Sequence, residues 1–214
     1  MGNRAFIAHQ SAPNGIYLHW NGGMDSIKPL LDYCALVDPY GGFNEGVGGL
    51  VTFVTVANNM LGSSIHIEDN SASLMLEDNG TYWVEGWEIV GRETPEYFTQ
   101  EQDSHDYWDM MMAIATHQPT ARQIPLKVIT GEVATKENIH DTNSVLYHDY
   151  DEWKEVSIIG YTDSNQPIID LFNGGKDNFS NIVRDLSKVR VVNEENLNKA
   201  MESLEKMAED YPVK

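Results

Sequence analysis

The chain has little with which to hold an anion. Of its 214 residues, 14 are Lys or Arg and 33 are Asp or Glu, giving a formal net charge of −19. Phosphate contacts come from basic side chains, so direct binding to nucleic acid or to an anionic membrane surface is excluded on charge. Cysteine is scarcer still. The single Cys34 cannot form an internal disulfide, which fits a reducing compartment and places the expected site of action in the cytoplasm. No apolar run approaches the roughly 20 residues that cross a bilayer. The start of the chain lacks the charged-then-apolar pattern of a secretion signal, and Phe6 stands where an acylation site needs Ser or Thr. Also missing are a Gly-x-Ser-x-Gly elbow, a His-Glu-x-x-His pair and a calcium-loop pattern. No catalytic residue, metal ligand or cofactor is assigned, and the chain is expected not to be an enzyme.

What is present is enough apolar material for a folded protein: 41% hydrophobic residues, five Trp and ten Tyr. Asn3–Gln10 and Gly15–Trp20 read as strands joined at Ser11–Asn14. Asp25 or Ser26 then caps a helix with the stripe Ile27, Leu30, Leu31, Cys34 and Val37, with Pro29 in its first turn and the thiol on its buried face. After a glycine-rich connection, Tyr40–Gly49, the spacing of Leu50, Phe53, Val54, Ala57, Met60 and Leu61 predicts a second helix stopped by Gly62. Ser63–Glu68 and Ser73–Glu77 read as strands. Asp78-Asn79-Gly80 reads as a hairpin turn leading into a strand over Thr81–Val90, with a bulge at Gly86 that would bring Glu85 and Glu88 to one side. Pro95–Thr116 reads as a helix with one wet face. Beyond it come strand-like runs at Leu126–Ile129, Val156–Tyr161 and Ile168–Phe172. Two amphipathic helices follow, on Phe179, Ile182, Val183, Leu186 and Val189, and on Leu197, Met201, Leu204 and Ala208.

The expected fold is therefore α+β: an antiparallel sheet of about five strands packed against helices, then a smaller C-terminal α/β lobe ending in two helices. The lobes are placed at residues 1–118 and 119–214, with the boundary near 117–124.

The negative charge is gathered rather than spread. Ile67–Gln118 holds twelve carboxylates and one cation, Arg92. Such a segment makes a strong local field that prefers cationic partners. Glu96, Glu101, Asp103, Asp106 and Asp109 would line the wet face of the expected helix, and Glu85, Glu88 and Glu93 would extend the row from the adjoining strand. Acids three or four apart on a helix lie about 5–6 Å from one another, close to the spacing of phosphates along a strand. A row of this kind can occupy a basic groove meant for DNA or RNA.

Two other motifs suggest chemistry. Asn21-Gly22-Gly23-Met24-Asp25-Ser26, between a strand and a helix, looks like the Ser-Gly-Gly-x-Asp-Ser loop of ATP pyrophosphatases, which grips pyrophosphate through backbone amides. Asn21 stands in place of the first Ser. The dipeptides His105-Asp106, His140-Asp141 and His148-Asp149 are of a type that metal phosphohydrolases use. Met110-Met111-Met112, His19 and Trp20 read as core positions.

Gly2-Asn3-Arg4-Ala5, Gly15-Ile16-Tyr17-Leu18-His19-Trp20-Asn21-Gly22-Gly23, Asp25-Ser26 and the later Trp87-Glu88-Ile89-Val90 resemble a group of small proteins of unassigned activity carried on phages, plasmids and other mobile elements. The resemblance covers roughly the first 90 residues and transfers no functional residue. It implies a context in which small acidic cytoplasmic proteins block host nucleases, some of them by mimicking nucleic acid.

Together these readings give an expected function. The chain would inhibit a basic nucleic-acid-binding defence protein, an RNA-guided nuclease or restriction enzyme, through Glu85, Glu88, Glu93, Glu96, Glu101, Asp103, Asp106 and Asp109. The alternatives are a nucleotide-binding enzyme at Asn21–Ser26 or a metal-dependent phosphohydrolase using His105, Asp106, His148 and Asp149. A third is a structural or assembly protein of a phage.

Overall fold

The structure is a computed structural model that describes residues 3–44, 46–69, 78–96, 98, 104–120, 123–149, 152–171 and 180–210. Its internal contacts divide the chain into two compact units, Met1–Gln123 and Ile124–Lys214. The fold is α+β, with sheets packed against helices. Among the described residues, no helix is long and apolar enough to cross a membrane.

The first unit is built on a five-stranded sheet. β1 (Ala5–Ala8) and β2 (Asn14–Leu18) form the hairpin expected from two strand-like runs joined at Ser11–Asn14. β3 (Ile65–Asp69) pairs with β2, β4 (Thr81–Glu85) with β1, and β5 (Glu88–Glu93) with β4, giving the order β3-β2-β1-β4-β5. Every pair is antiparallel except β1–β4, which is parallel. Because β4 is flanked by β1 and β5, the turn at Asp78–Gly80 is not the expected hairpin. Positive φ falls on Asp78 and Gly80 rather than on Asn79 and Gly80. The turn is fastened to the start of β1: the Asp78 carboxylate accepts from the Arg4 amide (3.1 Å) and Nε (2.9 Å), and the Asn79 amide donates to the Arg4 carbonyl. The strand expected at Ser73–Glu77 lies outside the described residues.

Ile7, Ile16, Leu18, Tyr82 and Val84 share one side of this sheet and are buried. Three helices accompany the sheet. α1 (Met24–Val37) and α2 (Gly48–Leu61) form where helices are expected; α2 buries Leu50, Phe53 and Ala57 of its expected stripe together with Val56, while Val54, Met60 and Leu61 are half-buried, and it lies against β2 and β3. α1 starts on Gly23 without a side-chain cap, so Pro29 sits in its second turn rather than its first. Cys34 is fully buried on α1. Burial pushes its thiol well above the ordinary value, and the nearby Asp38 carboxylate adds to the shift. α3 (Tyr107–His117) is held to α2 by Gln118, whose side chain donates to the Val56 and Ile114 carbonyls and accepts from Asn59.

The second unit carries a six-stranded antiparallel sheet, order β10-β9-β8-β7-β11-β6. Its strands are β6 (Glu132–Val133), β7 (Ser144–Asp149), β8 (Glu152–Tyr161), β9 (Pro167–Asp170), β10 (Ser180–Ile182) and β11 (Val189–Val191). Val145, Tyr147, Val156, Ile169, Val183 and Val189 form its core. Two expectations fail here. Leu126–Ile129 is not a strand but a one-turn helix, α4, which Pro125 starts by fixing the backbone ahead of it. The first of the two expected terminal helices is instead β10, a 3₁₀ turn at Leu186–Lys188 and β11. Of its spaced apolar residues, the β-branched Ile182 and Val189 pair with Ile168 of β9 and Tyr147 of β7. The last helix, α5 (Glu194–Asp210), is present.

Candidate partner-binding surface

The strand expected over Thr81–Val90 is two strands folded back at Gly86-Trp87. The reason is tertiary. Phe43 in the glycine-rich connection exchanges two backbone hydrogen bonds with Gly86, at 2.6 and 2.8 Å. The Trp87 indole N–H donates to the Asp38 carbonyl at 2.8 Å. Its ring meets Phe43 edge-on with centroids 6.0 Å apart, and Phe43 meets Phe53 of α2 likewise at 5.8 Å. Gly42 and Gly49 let the backbones close on one another: a Cβ on Gly42 would run into Gly86, and one on Gly49 into Gly42. The hairpin tip is thus seated in the connection between α1 and α2.

That seat fixes three of the expected acids. Glu85 and Glu88 are direct cross-strand partners at the tip, and Glu93 is the partner of Thr81. Partners point to the same side, and residues 81, 83 and 85 alternate onto one face, so Glu85, Glu88 and Glu93 share it. In a regular strand Glu88 and Glu93 would face opposite ways. The extra residue that corrects this is Val90, which the ladder skips as Trp83 pairs with Gly91 and Val84 with Ile89. The expected bulge is therefore real but lies at Val90, and a turn rather than a bulge occupies Gly86.

All three glutamates are exposed, as is Glu96 just beyond β5. None of the four is in an ion pair among the described residues. The Cβ atoms of Glu85 and Glu88 lie about 5 Å apart, as directly opposed residues do, and Glu93 is about 14 Å along the strand. The neighbouring cation is turned away: Arg92 pairs with Tyr82 on the opposite face, its guanidinium 4.5 Å from the Tyr82 ring centroid and 4.8 Å from that of Phe98. The unit Met1–Gln123 holds sixteen acidic and four basic residues. Of those four, Arg4 is paired with Asp78 and Lys28 with Asp32, while Arg122 lies outside the described residues.

The rest of the expected row is not a helical stripe. α3 begins at Tyr107, and neither Glu96 nor Asp106 is helical. Asp106 is the N-cap, its carboxylate accepting from the Trp108 and Asp109 amides, and Asp109 lies half-buried in the first turn. These two carboxylates serve the helix terminus, where they satisfy or oppose its positive end. Glu101 and Asp103 lie outside the described residues. The approach to α3 is tied to α1: Asp25 accepts from the Ser104 and His105 amides at 2.8 and 2.9 Å, and Tyr107 donates to Asp32 at 2.9 Å. Sequence reasoning missed this pairing, because no local pattern marks a capping residue 79 positions away.

The same bonds bear on the Asn21–Ser26 loop. It does lie between β2 and α1, with Asn21 at φ 57°, but the Asp25 carboxylate is engaged by the chain's own amides. Of the His-Asp dipeptides, His105-Asp106 belongs to the first unit and the other two to the second. His148 is buried and meets Trp153 edge-on at 5.0 Å, Asp149 pairs with Lys154, and His140 bonds Asn165. Among the described residues, no three His, Cys, Asp or Glu side chains gather to hold a metal ion. No protein-family model, curated protein or solved structure compared with this chain matches it, so its surface chemistry is what a functional reading must rest on.

Proposed function

We propose that this protein is a non-enzymatic inhibitor of a nucleic-acid-binding defence nuclease, of the anti-CRISPR or anti-restriction type, working in the cytoplasm of the host cell. It competes with nucleic acid by offering carboxylates to the Arg and Lys side chains that otherwise hold phosphates. The observation that carries this reading is the Glu85–Glu88 pair. Like charges directly opposite one another destabilise a hairpin. Here the hairpin tip is nonetheless held by Trp87, Phe43 and Gly86, and among the described residues no cation forms an ion pair with either glutamate. An external cation would relieve it. Glu93 and Glu96 widen the field on the same strand and just past it.

Glu85, Glu88, Glu93 and Glu96 are the acids whose setting supports this reading, and Asp106 also caps α3. The test is cleavage by an RNA-guided nuclease of its DNA target, with the parent or E85Q/E88Q/E93Q added over a range of KCl concentrations. The parent should inhibit, and its inhibition should weaken steeply with salt, as the competing nucleic acid's binding does. The triple variant should lose most of the inhibition at equal stability. Undiminished inhibition by that variant, or inhibition indifferent to salt, would sink the reading. A pull-down from host cytoplasm at low and high salt identifies the partner.

A further inference from the structure

The face that carries the glutamates also carries the most exposed aromatic side chains of the sheet. His66 is the partner of Tyr17, Tyr17 of Phe6, Phe6 of Thr81, and Thr81 of Glu93, so one cross-strand row runs from β3 to β5 on a single side. At the β2–β3 end of that row the rings form a ledge. Tyr17 and His66 are stacked with centroids 6.2 Å apart, and the Tyr17 hydroxyl is 3.1 Å from His19 Nδ1. His19 meets Trp20 edge-on at 4.9 Å. His19 and Trp20, expected in the core, are not there: His19 and His66 are exposed, and Trp20 keeps 47% of its surface in solvent. An indole left so open on a unit with four bases and sixteen acids presents its electron-rich face within a strongly negative field.

We propose that this ledge receives arginine side chains of the partner, so that recognition is specific for guanidinium and not merely for positive charge. This rests on the inhibitor reading above and names the partner's chemistry. A carboxylate pair alone attracts both Lys and Arg, Arg the more where its fork pairs bidentately, and offers no surface on which the guanidinium plane can stack. A guanidinium is planar and weakly hydrated, and it can stack on Trp20 or Tyr17 while neighbouring arginines pair with Glu85, Glu88 and Glu93. A compact, strongly hydrated ammonium gains much less from the rings. The span suits separate side chains of one segment, since Tyr17 and Glu93 are three strands apart, about 14 Å.

The experiment compares oligoarginine and oligolysine peptides of equal length and charge, bound to the full chain at fixed ionic strength and followed by fluorescence anisotropy of a peptide label. The parent should bind oligoarginine more tightly. Trp20→Ala should shrink that preference by roughly two- to five-fold, the worth of one exposed cation–ring contact, and leave oligolysine affinity unchanged. Trp20→Phe, which keeps a ring, should restore part of it. E85Q/E88Q should weaken both peptides, oligoarginine at least as much as oligolysine, and leave in place the part of the preference that Trp20→Ala removes. A ratio unaltered in Trp20→Ala overturns the ledge while leaving the inhibitor reading standing. Failure of the parent to bind either peptide overturns both. An unchanged melting temperature in Trp20→Ala shows that the exposed ring was removed without unfolding the chain.

Discussion

Removing the Trp87 side chain should unseat the hairpin that presents Glu85 and Glu88. The indole is 8% exposed, donates to the Asp38 carbonyl at 2.8 Å and packs on Phe43. Truncating a buried Trp to Ala costs about 3–5 kcal/mol. The carbonyl left without its donor adds about 1 kcal/mol, for a total of about 4–6 kcal/mol. A unit of 123 residues unfolds with an entropy of roughly 0.26 kcal/mol/K, so the melting temperature should fall by about 15 °C or more. Trp87→Phe separates the two contributions, since it keeps most of the packing and loses only the hydrogen bond. A fall of about 4 °C is expected for it. Scanning calorimetry follows the transition, and near-ultraviolet circular dichroism checks that the aromatic packing melts with it. Inhibition, measured well below the lowered transition, should drop in Trp87→Ala because the glutamate pair is no longer held. A Trp87→Ala melting temperature within about 3 °C of the parent would refute the seating of the tip.

Gly42→Ala should be more damaging than Gly86→Ala. Both have positive φ, but a Cβ at Gly42 runs into the Gly86 backbone, whereas one at Gly86 meets nothing within 4 Å; Gly86→Ala should cost about 1–2 kcal/mol in urea unfolding and Gly42→Ala clearly more. Asp106→Ala should cost about 1 kcal/mol through loss of the α3 cap and leave inhibition unchanged once stability is matched, so an inhibition-null, fully folded Asp106→Ala would return that residue to the working surface. Asp78 governs part of the acid response: burial pushes its carboxyl up, but hydrogen bonds from the Arg4 side chain and backbone and the guanidinium charge outweigh this and hold it below the usual carboxylate range. A depressed folded value means that its contribution is complete above the unfolded carboxylate range, near pH 4, and is lost as pH falls through the folded value. Urea midpoints measured downward from about pH 5 should therefore fall less steeply for Asp78→Asn than for the parent, and parallel curves would contradict the Arg4–Asp78 linkage.

The elements that could be read from sequence are those whose burial has a clean period. α1 keeps its stripe through Ile27, Leu30, Leu31 and Cys34, α2 buries Leu50, Phe53 and Ala57, and β9 alternates, whereas β1, buried at all four of its residues, is legible by its apolar run alone. The failures lie where distant contacts override local pattern. Trp83, Glu85, Trp87 and Ile89 read as one alternating strand, and nothing local announces that Trp87 must turn to reach Asp38, 49 positions back. Pro95–Thr116 was long and amphipathic enough to be read as a single helix, yet Asp106 closes it from within as an N-cap. Ile182 and Val189 belong to a stripe of helical spacing but pair in the sheet with Ile168 and Tyr147. That Glu85 and Glu88 share a side is expected from the sequence, but through a bulge at Gly86 in one strand, whereas they are cross-strand partners of two. The geometry of the candidate surface is not legible there, because it depends on a one-residue slip at Val90 and on the turn at Gly86-Trp87.

The position of β1 also sets a timetable for biosynthesis. This apolar strand lies inside the sheet, and the clamp that fastens it to the turn before β4 joins Arg4 to Asp78, 74 positions downstream. At ribosomal rates of about 5–20 residues per second, the second neighbour of β1 arrives roughly 4–15 s after the first segment has emerged. Through that interval the nascent chain exposes one bare hydrogen-bonding edge of Ala-Phe-Ile-Ala, and fragments ending before Thr81 should aggregate when expressed instead of accumulating as folded product.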